Sequence, residues 1–143
     1  MNDQSFRTVV YLARTREPLG DAELEELLVD AREYNRAHGV TGVLLVCDGE
    51  VMQNLEGPAE GVSAALDRIR ASRRIVDFTI VLDNLIPKRC FADWDMGVGR
   101  TTRSEMLDLS SARWSALANE DRPVDRVCRG LRQLRNFWER HRP

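Results

Sequence analysis

Two carboxamides and a phenol stand on apolar stripes of this chain. Gln53 lies in DGEVMQNLEG (48–57), between Val51 and Leu55, at the two-residue spacing of one strand face. Tyr11 alternates with Val9 and Ala13 in FRTVVYLA (6–13). Asn35 follows Ala31 by four residues and extends the helical stripe Leu24, Leu27, Leu28, Ala31. Trp94 and Met96 are placed on one strand face, with Asp93 and Asp95 opposite. A buried amide without a partner costs roughly 1–3 kcal/mol, so such groups come with partners. Two readings fit. The phenol and amides satisfy one another and fix a core. Alternatively, they serve the polar edges of a flat heterocycle bearing carbonyls and ring nitrogens. Leu27, Leu28, Ile69 and Met96 then supply its apolar surround. No nucleophile–base pair, paired acids or Gly-rich phosphate loop accompanies them, and GVTG and MGVG do not match a dinucleotide fingerprint. The set suits holding a heterocycle better than transforming a substrate.

The elements that must position these residues are well marked. The β-branched run 6–13 predicts a first strand. Asp21 is placed as the N-cap of a helix over 22–38, and Gly39 suits the left-handed position that ends it. VTGVLLVC (40–47) and EVMQNLEG (50–57) predict strands joined by an Asp48-Gly49 hairpin turn of type I′. Gly57-Pro58 opens a second helix carrying Val62, Ala65, Leu66 and Ile69 on one face. DFTIVLDNLI (77–86) and the less regular RCFADWDMGVG (89–99) complete the strands. The order predicts an α+β fold: a ferredoxin-like βαββαβ(β) sheet with two helices on one face, over 1–99, followed by a C-terminal helical extension over 100–143. If the first and third strands pair, Tyr11 and Gln53 become neighbours.

The extension ends in VDRVCRGLRQLRNFWERH, where Val124, Val127, Leu131, Leu134 and Trp138 recur at helical spacing. From residue 122 on, seven arginines (122, 126, 129, 132, 135, 140, 142) face Asp125 and Glu139. One reading packs the apolar stripe on or near the open sheet face and leaves the arginines solvated. The other is a docking surface for an acidic partner or nucleic acid. Across the whole chain the formal net charge of −2 disfavours nucleic acid as a partner. No apolar run approaches the ~20 residues of a membrane span, and MNDQSFRTVV does not read as a secretory signal. Cys47, Cys90 and Cys128 are an odd, dispersed set. His38 and His141 are isolated, so no metal site is expected. These features fit the cytoplasm.

Four segments in order resemble the BLUF domains, sensors of blue light using flavin, from about Thr8 to Gly99. They are VVYLAR, AREYNRAHGVTGVLL, GEVMQNLEGP and IPKRCFADWDMG. The resemblance implies FAD, or FMN or riboflavin in its place, held non-covalently. By position it implies that Tyr11 is the photoactive donor and Gln53 the hydrogen-bond switch, with Trp94 and Met96 taking the signal from Gln53. It implies flavin contacts from Tyr11, Leu27, Leu28, Asn35, Gln53, Arg68, Ile69, Arg74 and Met96. The function implied is a blue-light photosensor, not an enzyme, in which light rearranges hydrogen bonds around flavin and a partner protein reads the change. Departures stand at Ala13, Met52, Tyr34 and Ile75, where the family more often has serine, an aromatic or branched residue, a polar residue and histidine. Nothing here resembles a cyclase or phosphodiesterase, so a short stand-alone member is expected. Its expected partners are an unidentified downstream protein and further copies of itself, a dimer or larger. The rival readings are a flavin-binding interaction module without photochemistry and a flavin-dependent redox enzyme.

Overall fold

The computed structural model describes residues 6–92, 94, 96–111 and 129–141. Five strands, β1 (Phe6–Thr15), β2 (Val43–Cys47), β3 (Glu50–Gly57), β4 (Ile75–Ile86) and β5 (Gly97–Arg100), form one sheet in the order β4-β1-β3-β2-β5. All neighbours are antiparallel except β2 and β5, which run parallel. Four helices are α1 (Asp21–His38), α2 (Ala59–Arg70), α3 (Arg103–Ser110) and α4 (Arg129–His141). This is the expected ferredoxin-like pattern with a fifth strand beside β2.

The strand alternation sorts side chains onto two buried faces. Val9, Tyr11, Ala13, Leu44, Val46, Val51 and Leu55 meet Leu24 and Leu28 of α1 and Val62, Ala65 and Leu66 of α2. The opposite face sends Val10, Val43, Leu45 and Met52 against Met106 and Leu109 of α3 and Leu134, Phe137 and Trp138 of α4. β3 is therefore covered on both sides, and every residue from Val51 to Gly57 is buried. Gly97 and Gly99 make room for Trp138. A Cβ at Gly97 would stand 2.5 Å from its indole ring, and one at Gly99 3.3 Å.

Local physics sets the boundaries. Gly39 takes a left-handed conformation (φ 72°) and closes α1, with the Val40 N–H reaching back to the Asn35 carbonyl at 2.8 Å. Four expectations shift. In the hairpin turn only Asp48 (φ 53°) has a positive φ, so the Asp48-Gly49 turn is not type I′. Gly20, not Asp21, occupies the N-cap of α1, and the Asp21 carboxylate instead accepts from Arg100 at 2.7 Å. Residues 40–42 precede β2, joined to β3 only by an isolated Thr41–Glu56 bridge, because Gly42 (φ 154°) leaves the regular strand path. The fifth strand is only 97–100; residues 89–92 bend instead, their Cys90 and Phe91 N–H groups bound to the Glu56 side chain rather than to a strand neighbour. The expected placements of Asp93, Asp95, Val124, Val127, Cys128 and the arginines at 122, 126 and 142 lie outside the described residues.

Because its indole is 1% exposed and fills the glycine slot, Trp138→Ala is expected to cost about 3–5 kcal/mol of folding stability. Urea unfolding followed by circular dichroism measures it.

Candidate functional site

Strand pairing brings the phenol and the first amide together. Tyr11 and Gln53 are directly opposite in the β1–β3 ladder. The Tyr11 hydroxyl donates to Gln53 Oε1, and Gln53 Nε2 donates to Met96 Sδ at 3.2 Å. The Tyr11 ring stacks on Phe78 of β4, centroids 4.6 Å apart. On its other flank β1 changes register with β4 between Val10 and Tyr11: Val10 faces Leu82 and Tyr11 faces Ile80, which leaves Val81 as the extra residue of a bulge. Bulges re-aim side chains beside them, and this one adjoins the phenol. Complete burial pushes the Tyr11 pKa well above its ordinary value.

These groups open onto a cavity of about 600 Å³ between α1, α2 and the sheet. That size suits a small organic ligand. Tyr11, Leu27, Leu28, Asn35, Gln53, Arg68, Ile69, Arg74 and Met96 all line it. Leu44, Val51, Leu55 and Ala65 add apolar wall, while Thr15, Glu26, Asp30 and Ser72 add polar groups. Asn35 is 3% exposed, and its Nδ2 has no hydrogen-bond partner among the described residues. An orphaned donor in this wall is the feature a carbonyl-bearing heterocycle answers. Two arginines line the same cavity from exposed positions. Arg74 pairs with Glu26 at 3.3 Å, and Arg68 lies over the Tyr34 ring at 4.9 Å. Tyr34, one of the departures, ties α1 to α2 through its hydroxyl, which donates to the Ala64 carbonyl at 3.2 Å. The residue set fits a flavin: apolar walls, amide groups at the polar edges and a phenol beside them.

Trp94 and Met96 part company. The segment carrying them is not a strand, so alternation does not place them on one face. Met96 belongs to the cavity-side cluster and is 1% exposed. Trp94 packs on the opposite cluster, edge-on to Trp138 with centroids 5.1 Å apart. Arg32 of α1 donates to the Met96 carbonyl at 3.0 Å.

The sequence reading passed over Glu56 and its neighbours. Glu56 is fully buried and accepts from the backbone N–H groups of Cys90 (2.8 Å) and Phe91 (2.9 Å) and from the Thr8 hydroxyl (3.2 Å). Burial raises its pKa, and those hydrogen bonds oppose the rise. Asn54 Nδ2 donates to Thr8 Oγ1 at 3.0 Å. The available signal was that Asn54 and Glu56 share the strand face of Met52 at two-residue spacing.

A family model described as "BLUF: Sensors of blue-light using FAD" matches residues 6–97. The chain is 27% identical over 106 residues to the "Photoactivated adenylate cyclase subunit beta-like protein FB" of Euglena gracilis, covering 73% of this chain and 12% of that protein. Among solved structures it resembles "BlrB - a BLUF protein, dark state structure", at 27% identity and a TM-score of 0.62, over 74% of this chain and 79% of that one. The fold is also that of "BlsA ground state", at 24% identity and a TM-score of 0.65, over 73% and 72% of the two chains.

Since burial holds the proton on Tyr11 more tightly in the folded state, the unfolded chain releases it first. Folding stability is then expected to be unaffected by this group below about pH 10 and to fall above it, by up to ~1.4 kcal/mol per pH unit. Urea unfolding of wild type and Tyr11→Phe across that range checks this: the variant should lose the additional decline.

Proposed function

The chain belongs to the BLUF family, the sensors of blue light using FAD, and on that premise we propose that Tyr11 and Gln53 form its light-driven hydrogen-bond switch. The observation that carries the proposal is the chain of contacts Tyr11–Gln53–Met96 at the wall of the cavity. Bound flavin supplies blue-light absorption and an excited state that is a strong oxidant.

The protein's own groups supply the rest. Leu27, Leu28 and Ile69 cover the ring faces and exclude water. Asn35 offers its unpartnered Nδ2 to one polar edge. Arg68 and Arg74 serve the mouth. Tyr11 keeps its proton on Oη, shared with Gln53 Oε1, until an electron is drawn from the ring.

The Gln53 amide has two ends of opposite hydrogen-bonding character. With Oε1 towards Tyr11 it accepts from the phenol and donates to Met96. Turned by half a rotation, it presents Nε2 to the phenol oxygen and its carbonyl oxygen to the Met96 sulfur, which has no proton to donate, so the bond to Met96 is lost. Both contacts then change together, which makes the amide a bistable element. Met96 and Trp94 carry the change away from the cavity.

The proposal extends to organisation. Residues 1–99 are read as the flavin-binding unit and 100–143 as its helical extension. The output is read as contact with a separate protein in the cytoplasm, from a homo-oligomer, with no turnover of its own. The aligned stretch spans only about an eighth of the photoactivated cyclase relative, so that protein's catalytic activity is not carried over. None of the helices among the described residues is long and apolar enough to cross a membrane.

Purified protein is expected to be yellow and to show a reversible red shift under blue light. Gln53→Leu and Tyr11→Phe are each expected to retain flavin and lose that shift. An unchanged shift in either would count against its assigned role.

A further inference from the structure

Glu56 sits three residues beyond Gln53 on β3, on the opposite face. A carboxyl group at 0% exposure is tolerated only where its oxygens are used. Here Oε1 serves the N–H groups of both Cys90 and Phe91, and Oε2 serves Thr8. The Cys90–Phe91 turn starts the segment that ends at Met96.

The far end of the same segment is fastened by other groups. The Gly42 N–H donates to the Trp94 carbonyl at 2.8 Å, and the Gly97 N–H donates to the Gly42 carbonyl at 3.1 Å. Between these anchors the chain passes from Phe91, in the cluster beside α4, to Met96, in the cavity cluster. The Trp94 N–H donates back to the Phe91 carbonyl at 3.4 Å, which ties the turn to the end that carries Met96. Met96 is thus linked to residues 90 and 91 through Trp94, alongside the Arg32 donor to its own carbonyl.

We propose that Glu56 is a positioning residue whose carboxyl group fixes the Cys90–Phe91 turn so that Met96 is presented to the Gln53 amide. The structural part stands on the contacts above. Its effect on the photocycle rests on the switch reading of Gln53.

The test uses the full chain loaded with flavin and labelled with 13C at its methionine methyl groups, as wild type, Glu56→Gln and Glu56→Leu. Glutamine keeps an acceptor for the two N–H groups; leucine fills similar space with none. In Glu56→Leu the Met96 methyl resonance, assigned through Met96→Leu, should move in the dark, and that of Met106 should not. The Cys90 and Phe91 amides should exchange at least about tenfold faster. Dark recovery of the red-shifted state should change at least about threefold, and Glu56→Gln should restore it to within about twofold of wild type.

A Met96 resonance unchanged in Glu56→Leu would overturn the proposal whatever the recovery rate, and a moved resonance with unchanged recovery would overturn its effect on the photocycle. If the leucine variant does not fold, the wild type decides: Cys90 and Phe91 amides exchanging as fast as exposed ones overturn it, and protected amides together with recovery near wild type in Glu56→Gln support it. A wild type without any red shift would sink the photosensor reading, while the dark methyl resonance and amide exchange would still judge Glu56.

Discussion

The pairing of β1 with β3 is the constraint on which the site depends. It puts Tyr11 opposite Gln53, and a slip of one residue would turn each to the wrong face. Two polar couples pin the register from opposite sides. Tyr11 and Gln53 meet on the cavity face, and Thr8 and Glu56 meet on the other. A slipped pairing would strand buried polar groups at roughly 1–3 kcal/mol each. Specificity of pairing and preparation of the site thus come from the same side chains.

The sheet separates two environments. On one side lie the cavity, α1 and α2; on the other, α3 and α4 cover Met52, Leu45 and Val43. The short stretch from Phe91 to Gly97 belongs to both. Met96 touches Gln53, while Trp94, two residues away, touches Trp138. Under the proposed switch, a displacement at the amide would reach Trp138 through Met96 and Trp94.

Much of this was legible in the sequence. Alternation in 6–13 and 50–57 and the helical stripe ending at Asn35 marked the strand and helix faces, and the nine residues that the resemblance named as flavin contacts line one cavity. The fifth strand was misjudged because WDMG has a strand-like pattern. Its neighbours are decided by Glu56 and Gly42, which are remote in sequence. Glu56 itself gave no sign of its role, because a lone acid on a strand is usually solvated. Only the cover supplied by α3 and α4 makes its face of β3 interior. The glycines at 97 and 99 looked like a failed nucleotide motif, and their reason for being glycine lies about forty residues downstream in Trp138.

That slot bears on any attempt to rewire the protein. A Cβ at position 97 would collide with the Trp138 ring, and Trp94 closes in from the side at 3.0 Å. The groove is therefore cut to the outline of one indole. An effector grafted after Arg100 in place of the native helices would leave this recess unfilled unless it supplied an aromatic ring at the matching height. Chimaeras designed around the photosensory sheet should be chosen by that lock-and-key criterion before linker length is considered.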